Sequence, residues 1–141
     1  MMSTYLQVVI RRLVLTILPV FVFGAIYLNW NQGPFNFDGP MPVMKGLVWI
    51  SFILFSAYSG YCTLREDLFQ TLREVTRYHF GRQICIDLYL GAGLILFLMY
   101  LNEPTFLGFV IWMIPTLFYV NILTLLYFAI HFDSIITRFL M

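Results

Sequence analysis

One charged segment, residues 64–83, separates two long apolar parts of this chain and constrains how the chain can fold. Arg and Lys residues near the ends of apolar spans tend to stay on the cytoplasmic side of a membrane. The segment therefore predicts a membrane location in which residues 64–83 face the cytoplasm. It holds half of the eight Lys and Arg residues of the protein, namely Arg65, Arg73, Arg77 and Arg82.

Composition also favours a membrane protein, because 61% of the 141 residues are hydrophobic and only 11% are charged. Such a chain has too little polar surface to cover a water-soluble globule. A net charge of +1 without a basic run argues against nucleic acid as a partner. The sequence has no nucleotide-binding loop, no hydrolase motif and no metal-ligand spacing, so we expect no cofactor, no metal and no catalysis.

The hydropathy pattern predicts an all-α integral membrane protein that forms a single transmembrane domain, residues 1–141. About 20 residues of helix cross the hydrocarbon core of a bilayer. On this basis we expect four spans, at residues 8–30, 45–63, 84–101 and 106–132.

The segments between the spans have different characters. Residues 31–43 are rich in Gly and Pro and are expected to form an external loop. Residues 64–83 show apolar positions at helical spacing, which predicts an amphipathic cytoplasmic helix that stops at Gly81. With both termini in the cytoplasm, seven of the eight Lys and Arg residues lie inside and Lys45 lies outside, as expected for a multi-pass protein of a cell inner membrane.

Six polar residues are candidates for an intramembrane cluster near the cytoplasmic ends of the spans. Asp87 is the most constrained, because an ionised carboxylate in hydrocarbon must pair, reach water or become neutral. We expect it to pair with Arg82 or another arginine of residues 64–83; the alternatives are a proton or ligand site and simple exposure at the interface. The candidate cluster consists of Asp87, Tyr58, Tyr61, His131, Asn121 and Thr124.

Small residues predict where helices pack closely. Ser56, Ser59, Gly60 and Thr63 form a stripe along the second span, and Gly91 lies one turn from Asp87 on the third. The arginines of residues 64–83 are expected to dock another subunit, with a solvated helix face as the alternative reading. His79 and His131 lack the spacing of haem or metal ligands.

These features favour a non-enzymatic accessory, structural or assembly subunit of a larger inner-membrane complex. Its partners would be other membrane subunits and lipid, and self-association is open. The alternative is a small proton-coupled carrier that acts as an oligomer, with Asp87 as the titrating group and Asn121 and Thr124 along the path. A third reading, a membrane-bound redox or lipid-modifying enzyme, would need a cofactor that these residues barely support.

Overall fold

The computed structural model describes residues 4–141, and these residues contain helices and turns but no strand. Three of the helices are long and apolar enough to cross a membrane, which indicates a multi-pass membrane protein. They are α1 (Thr4–Leu28), α2 (Pro42–Arg65) and α4 (His79–Asn102); the shorter helices are α3 (Leu68–Val75), α5 (Phe106–Tyr119), α6 (Asn121–Ile130) and α7 (Phe132–Leu140), and a 3-10 turn covers Trp30–Gln32.

Helices α5 and α6 form a hairpin instead of the single span predicted for residues 106–132. Val120 separates them with φ +35° and ψ −98°, a combination outside the helical region that interrupts the helix. The ring of Trp112 lies 4.9 Å from that of Tyr127 and 5.8 Å from that of His131. In one straight helix, residues 112 and 131 would be about 28 Å apart. The chain therefore reverses at Val120, and the prediction of one continuous span is wrong.

Contacts with α5 fix the directions of the long helices. Tyr119 Oη donates to the carbonyl of Val14 on α1 (3.0 Å), and Phe21 packs on Trp112 nearer the start of α5. Tyr89 Oη of α4 donates to the carbonyl of Leu117 (3.2 Å), while Tyr100 packs on Phe109. Both α1 and α4 therefore run antiparallel to α5 and parallel to each other.

The bundle has two distinct ends. We call upper the end that holds residues 29–41, residues 103–105 and the α6–α7 junction, and lower the end where α1 and α4 begin. Arg138 of α7 donates to the carbonyl of Leu101 (3.3 Å), which places α7 at the upper end. The described chain thus starts at the lower end and finishes at the upper one, whereas the charge pattern had predicted both termini on one side.

The core is built around α6, which packs against α2, α4 and α5. Leu123, Leu126 and Ile130 are fully buried, and Trp49 of α2 and Met99 of α4 pack against them. At 1.5 Å per residue, α5 is about 21 Å long and α4 about 36 Å, so the hairpin stops well short of the lower end. Within residues 54–65 and 79–91, Gly81 alone is buried.

The predicted helix over residues 64–83 is divided between three elements. Helix α2 continues to Arg65, and Asp67 caps α3 by accepting from the amide of Phe69 (2.9 Å). A turn at residues 76–78 leads into α4, so Gly81 lies inside a helix and is not the stop that was predicted. A Cβ at Gly81 would overlap the carbonyl of Val75, so this glycine lets the end of α3 approach α4.

Candidate functional site

Four polar side chains meet at the upper end, where α4 and α6 both finish, and we call them the junction cluster: Asn102, Glu103, Tyr127 and His131. The Tyr127 hydroxyl accepts from Asn102 Nδ2 (2.7 Å) and donates to Glu103 Oε1 (2.9 Å). His131 Nε2 lies 3.6 Å from the same carboxylate oxygen. Tyr127 and His131 are both buried. Burial strengthens such polar contacts and makes the loss of any one of them costly.

The α5–α6 hairpin is what brings the junction cluster together. Tyr127 and His131 lie one turn apart on α6, and their rings stack with centroids 4.3 Å apart. Trp112, from the other arm of the hairpin, meets both rings edge-on. Glu103 approaches from the turn that precedes α5. Without the reversal at Val120, the histidine would lie at the opposite end of the molecule from the glutamate.

A second polar network joins the upper loop to the α6–α7 junction through Lys45. Its ammonium donates to Asp133 Oδ2 (2.6 Å) and to the carbonyls of Gly33 (2.8 Å) and Asn36 (2.6 Å). Lys45 is only 1% exposed, while the Asp133 side chain is 29% exposed. All three N–H bonds of the ammonium therefore have acceptors, which is the arrangement a buried charge requires.

Trp49 of α2 makes a second set of contacts with the loop over residues 29–41. Trp49 Nε1 donates to the carbonyl of Pro34 (2.9 Å), and the Trp49 ring stacks on Phe35 at 5.0 Å. Two aromatic residues of the loop pack against α2: Phe35 lies against Trp49, and the Phe37 ring lies 5.7 Å from the Lys45 ammonium. The loop therefore covers the upper end of the core.

These networks hold the upper loop, α2, α4, α6 and α7 together. Their donors are used on one another, and the histidine and glutamate face each other. A surface groove of about 570 Å³ lies between Gln32 and α7, and Asp133 is the one member of the two networks that lines it. Asn102 Oδ1 and Asp133 Oδ1 are buried without a partner, but the hydrogen bonds that the two networks do form join distant elements and fix the arrangement of helices.

The pairing expected for Asp87 is not formed. Asp87 is exposed and makes no ion pair within residues 4–141. Arg82, its expected partner, donates from Nε to the carbonyl of Thr76 (2.7 Å). The arginine is held by the turn that starts α4, so it caps backbone instead of reaching the carboxylate.

The candidate intramembrane cluster is not assembled either. His131 lies at the upper end, because the hairpin carries it away from the lower ends of the spans. Tyr58 and Tyr61 stack on each other at 6.5 Å on the exposed lower part of α2. Asn121 and Thr124, near the hairpin tip, line a groove of about 390 Å³ with Ser51, Phe55 and Leu125 of α2 and α6.

The predicted packing and docking residues lie along surfaces that the chain itself leaves largely open. A Cβ at Gly60 or at Gly91 would meet no atom within 4 Å. Of the predicted docking residues, Arg65 lies over the Tyr61 ring at 5.3 Å. The remaining stripe residues, Ser56, Ser59 and Thr63, are half-buried, and Arg73 and Arg77 lie with Arg65 and Arg82 at the lower end.

Sequence reasoning did not select Lys45, Glu103, Tyr127 or Asp133, which form the centres of the two networks. The charged ones lie at the ends of predicted spans, where no local pattern links them to one another. One signal was available: Lys45 was the single basic residue on the predicted external side, and an isolated cation beside an apolar span needs a partner.

Neither a metal-ligand group nor a similar known protein indicates what this site binds. No group of three or more metal-ligating side chains occurs within the part of the chain that the structure describes. Comparison with protein families, with curated proteins and with solved structures found no match.

Proposed function

We propose that this chain is a non-enzymatic accessory or assembly subunit that packs against another protein of a cell inner membrane. The observation that carries the proposal is the small-residue stripe on the lower half of α2, at Ser56, Ser59, Gly60 and Thr63, which its own chain half-buries and leaves open beside Gly60. A Cβ at Gly60 would touch nothing within this chain. Small residues allow two helix backbones to approach closely in lipid, and a face that meets only acyl chains gains nothing from them.

Helix α3 extends this open region at the lower end. Its apolar side chains are exposed, with Leu68 at 64%, Phe69 at 48% and Leu72 at 45%. Six of the eight basic residues also lie at the lower end, which supports a cytoplasmic location for it. These six are Arg11, Arg12, Arg65, Arg73, Arg77 and Arg82.

The carrier alternative receives less support from the arrangement. Tyr89 faces α5, and Asp87 is two residues away, about 200° around α4. Asp87 therefore points away from the hairpin, while Asn121 and Thr124 lie at the hairpin tip beside α2. The three residues do not line one path within a single copy of the chain.

The first experiment is extraction from the native membrane in mild detergent, followed by native gel electrophoresis, mass spectrometry of co-migrating chains and a visible absorbance scan. We expect a defined set of larger subunits to travel with the chain. Gly60→Leu should abolish this association. Gly93→Leu is the matched control, because a Cβ at Gly93 also meets no atom within 4 Å but lies on α4.

Two results would overturn the proposal. If the chain migrates alone or only with copies of itself, it is not an accessory subunit, and transport assays on Asp87→Asn become the next step. If it carries a chromophore, the enzyme reading gains the cofactor that the sequence does not predict.

A further inference from the structure

We propose that two copies of this chain pair in the membrane through Arg12 of one copy and Asp87 of the other. Both side chains are exposed, and neither takes part in an ion pair within residues 4–141. Each lies eight residues inside a membrane-spanning helix, about 12 Å from its start. Charges at such positions are costly unless they are paired or hydrated. An opposite charge from outside the chain would satisfy both.

The two charges lie at matching depths. The hydrogen bonds from Tyr119 to Val14 and from Tyr89 to Leu117 place Val14 and Tyr89 beside the same lower part of α5. Arg12 and Asp87 each precede these residues by two positions. Because α1 and α4 run in the same direction, both charges lie about 3 Å further toward the lower end.

The faces that carry these charges point away from the core, so one copy cannot pair them with each other. Arg12 is nine residues from Phe21, which packs on Trp112, and nine residues correspond to half a turn around α1. Asp87 points away from α5, as its 200° separation from Tyr89 requires. The hairpin stands between the two helices.

A second copy supplies the missing geometry. Inserted with the same orientation, it presents its α1 parallel to α4 of the first copy, with Arg12 at the level of Asp87. Because the hairpin separates the two charged faces, each contact joins the α1 face of one copy to the α4 face of the next, which is a head-to-tail arrangement and not an isologous one. One turn above the charges, Thr16 faces Gly91, where a Cβ would meet no atom of its own chain within 4 Å. Small residues at this level allow the helices to approach closely.

The test uses two differently tagged copies expressed together, with affinity capture through one tag and sizing chromatography with light scattering in mild detergent. We expect the unmodified chain to form dimers or larger head-to-tail oligomers. Asp87→Arg alone or Arg12→Asp alone should weaken pairing about tenfold, in the range of interhelical polar contacts in membranes. Co-expression of the two single variants should restore pairing, because each interface then joins opposite charges. Arg11→Asp, on the half-buried side of α1, is the control and should pair normally.

A second measurement is independent of charge reversal. In a background with Cys62→Ser and Cys85→Ser, Thr16→Cys in one copy and Gly91→Cys in the other should form a disulfide between copies under mild oxidation. Thr16→Cys with Gly93→Cys should not, because Gly93 lies about 200° around α4 from Gly91. This measurement remains valid if a charge-reversed variant fails to fold.

The proposal is wrong if the unmodified chain is monomeric, if both single variants pair as it does, or if the Thr16 and Gly91 cysteines do not join. If the chain is monomeric and Asp87 is protected from chemical modification only when lipid or another protein is bound, that partner, and not a second copy, pairs with Asp87. The pairing requires only this chain, so it can fail while the larger assembly proposed above stands.

Discussion

Replacement of Lys45 by methionine isolates the contribution of the network beneath the upper loop. Methionine keeps most of the apolar stem but removes three charge-assisted hydrogen bonds, to Asp133, Gly33 and Asn36. Removing one member of a fully buried ion pair costs about 3–5 kcal/mol. Because the Asp133 side chain is 29% exposed, water can hydrate part of the stranded carboxylate. We therefore expect a loss at the low end, about 3 kcal/mol.

This loss should be visible in two assays on the purified protein in detergent. Thermal unfolding followed by tryptophan fluorescence should show a midpoint lowered by about 10 °C. Limited proteolysis should cleave residues 29–41 faster, since that loop has lost one of its two fastenings. Arg138→Met is the matched control: its side chain is exposed and makes one 3.3 Å bond, so the change should stay within about 0.5 kcal/mol.

A double-mutant cycle separates the ion pair from a general effect of the substitution. In Lys45→Met with Asp133→Asn, no carboxylate is left unpaired, so the combined loss should be smaller than the sum by at least about 1 kcal/mol. A Lys45→Met protein as stable as the Arg138→Met control, or strictly additive losses in the cycle, would refute the reasoning.

Three further predictions follow from the upper end of the bundle. Epitope tags at the two ends of the chain should be accessible from opposite sides of the membrane in protease-protection assays. Gly39→Ala should lower the unfolding midpoint by several degrees, because its Cβ would overlap the Asp133 carboxylate, whereas Gly46→Ala, with its nearest neighbour at 3.9 Å, should be neutral or stabilising. Tyr127→Phe should cost about 1–3 kcal/mol of unfolding free energy, because Glu103 loses a buried hydrogen-bond donor.

Each of these predictions has a clear contrary result. If protease reaches both epitope tags from the same side of the membrane, the chain does not reverse at Val120. Equal unfolding midpoints for Gly39→Ala and Gly46→Ala would mean that Gly39 is not in close contact with Asp133 of α7. An unchanged midpoint for Tyr127→Phe would mean that water can replace the tyrosine hydroxyl, and the cluster would then be open to solvent.

The three long helices could be predicted because their signal is local. Continuous apolar length is sufficient to place a helix in a membrane, and the observed α1, α2 and α4 contain the predicted centres at 8–30, 45–63 and 84–101 with shifted ends. Their ends moved because capping and turn geometry decide the last few residues. At the start of α4, for example, His79 follows a turn that the apolar periodicity of residues 64–83 had concealed.

The hairpin could not be predicted, because both of its arms are apolar. Residues 106–132 contain no Asp, Glu, Lys or Arg, and His131 is their one histidine. Their hydropathy therefore shows a single apolar block, whether the chain crosses the membrane there or turns back within it. The reversal is stabilised by contacts between residues distant in sequence, such as Trp112 with Tyr127. Lys45 and Asp133, which are 88 positions apart, illustrate the same limit for the candidate site.

The central place of α6 also constrains the order in which the protein can be made. The first three long helices leave the ribosome before residues 121–133 are synthesised, and until then neither the core nor the Asp133 carboxylate that pairs with Lys45 exists. The loop over residues 29–41 therefore lacks its contact with Asp133 until translation has passed that residue. A chain that ends near residue 120 would have three inserted helices but no α6 to form the core between them. A membrane quality-control protease could recognise such a product.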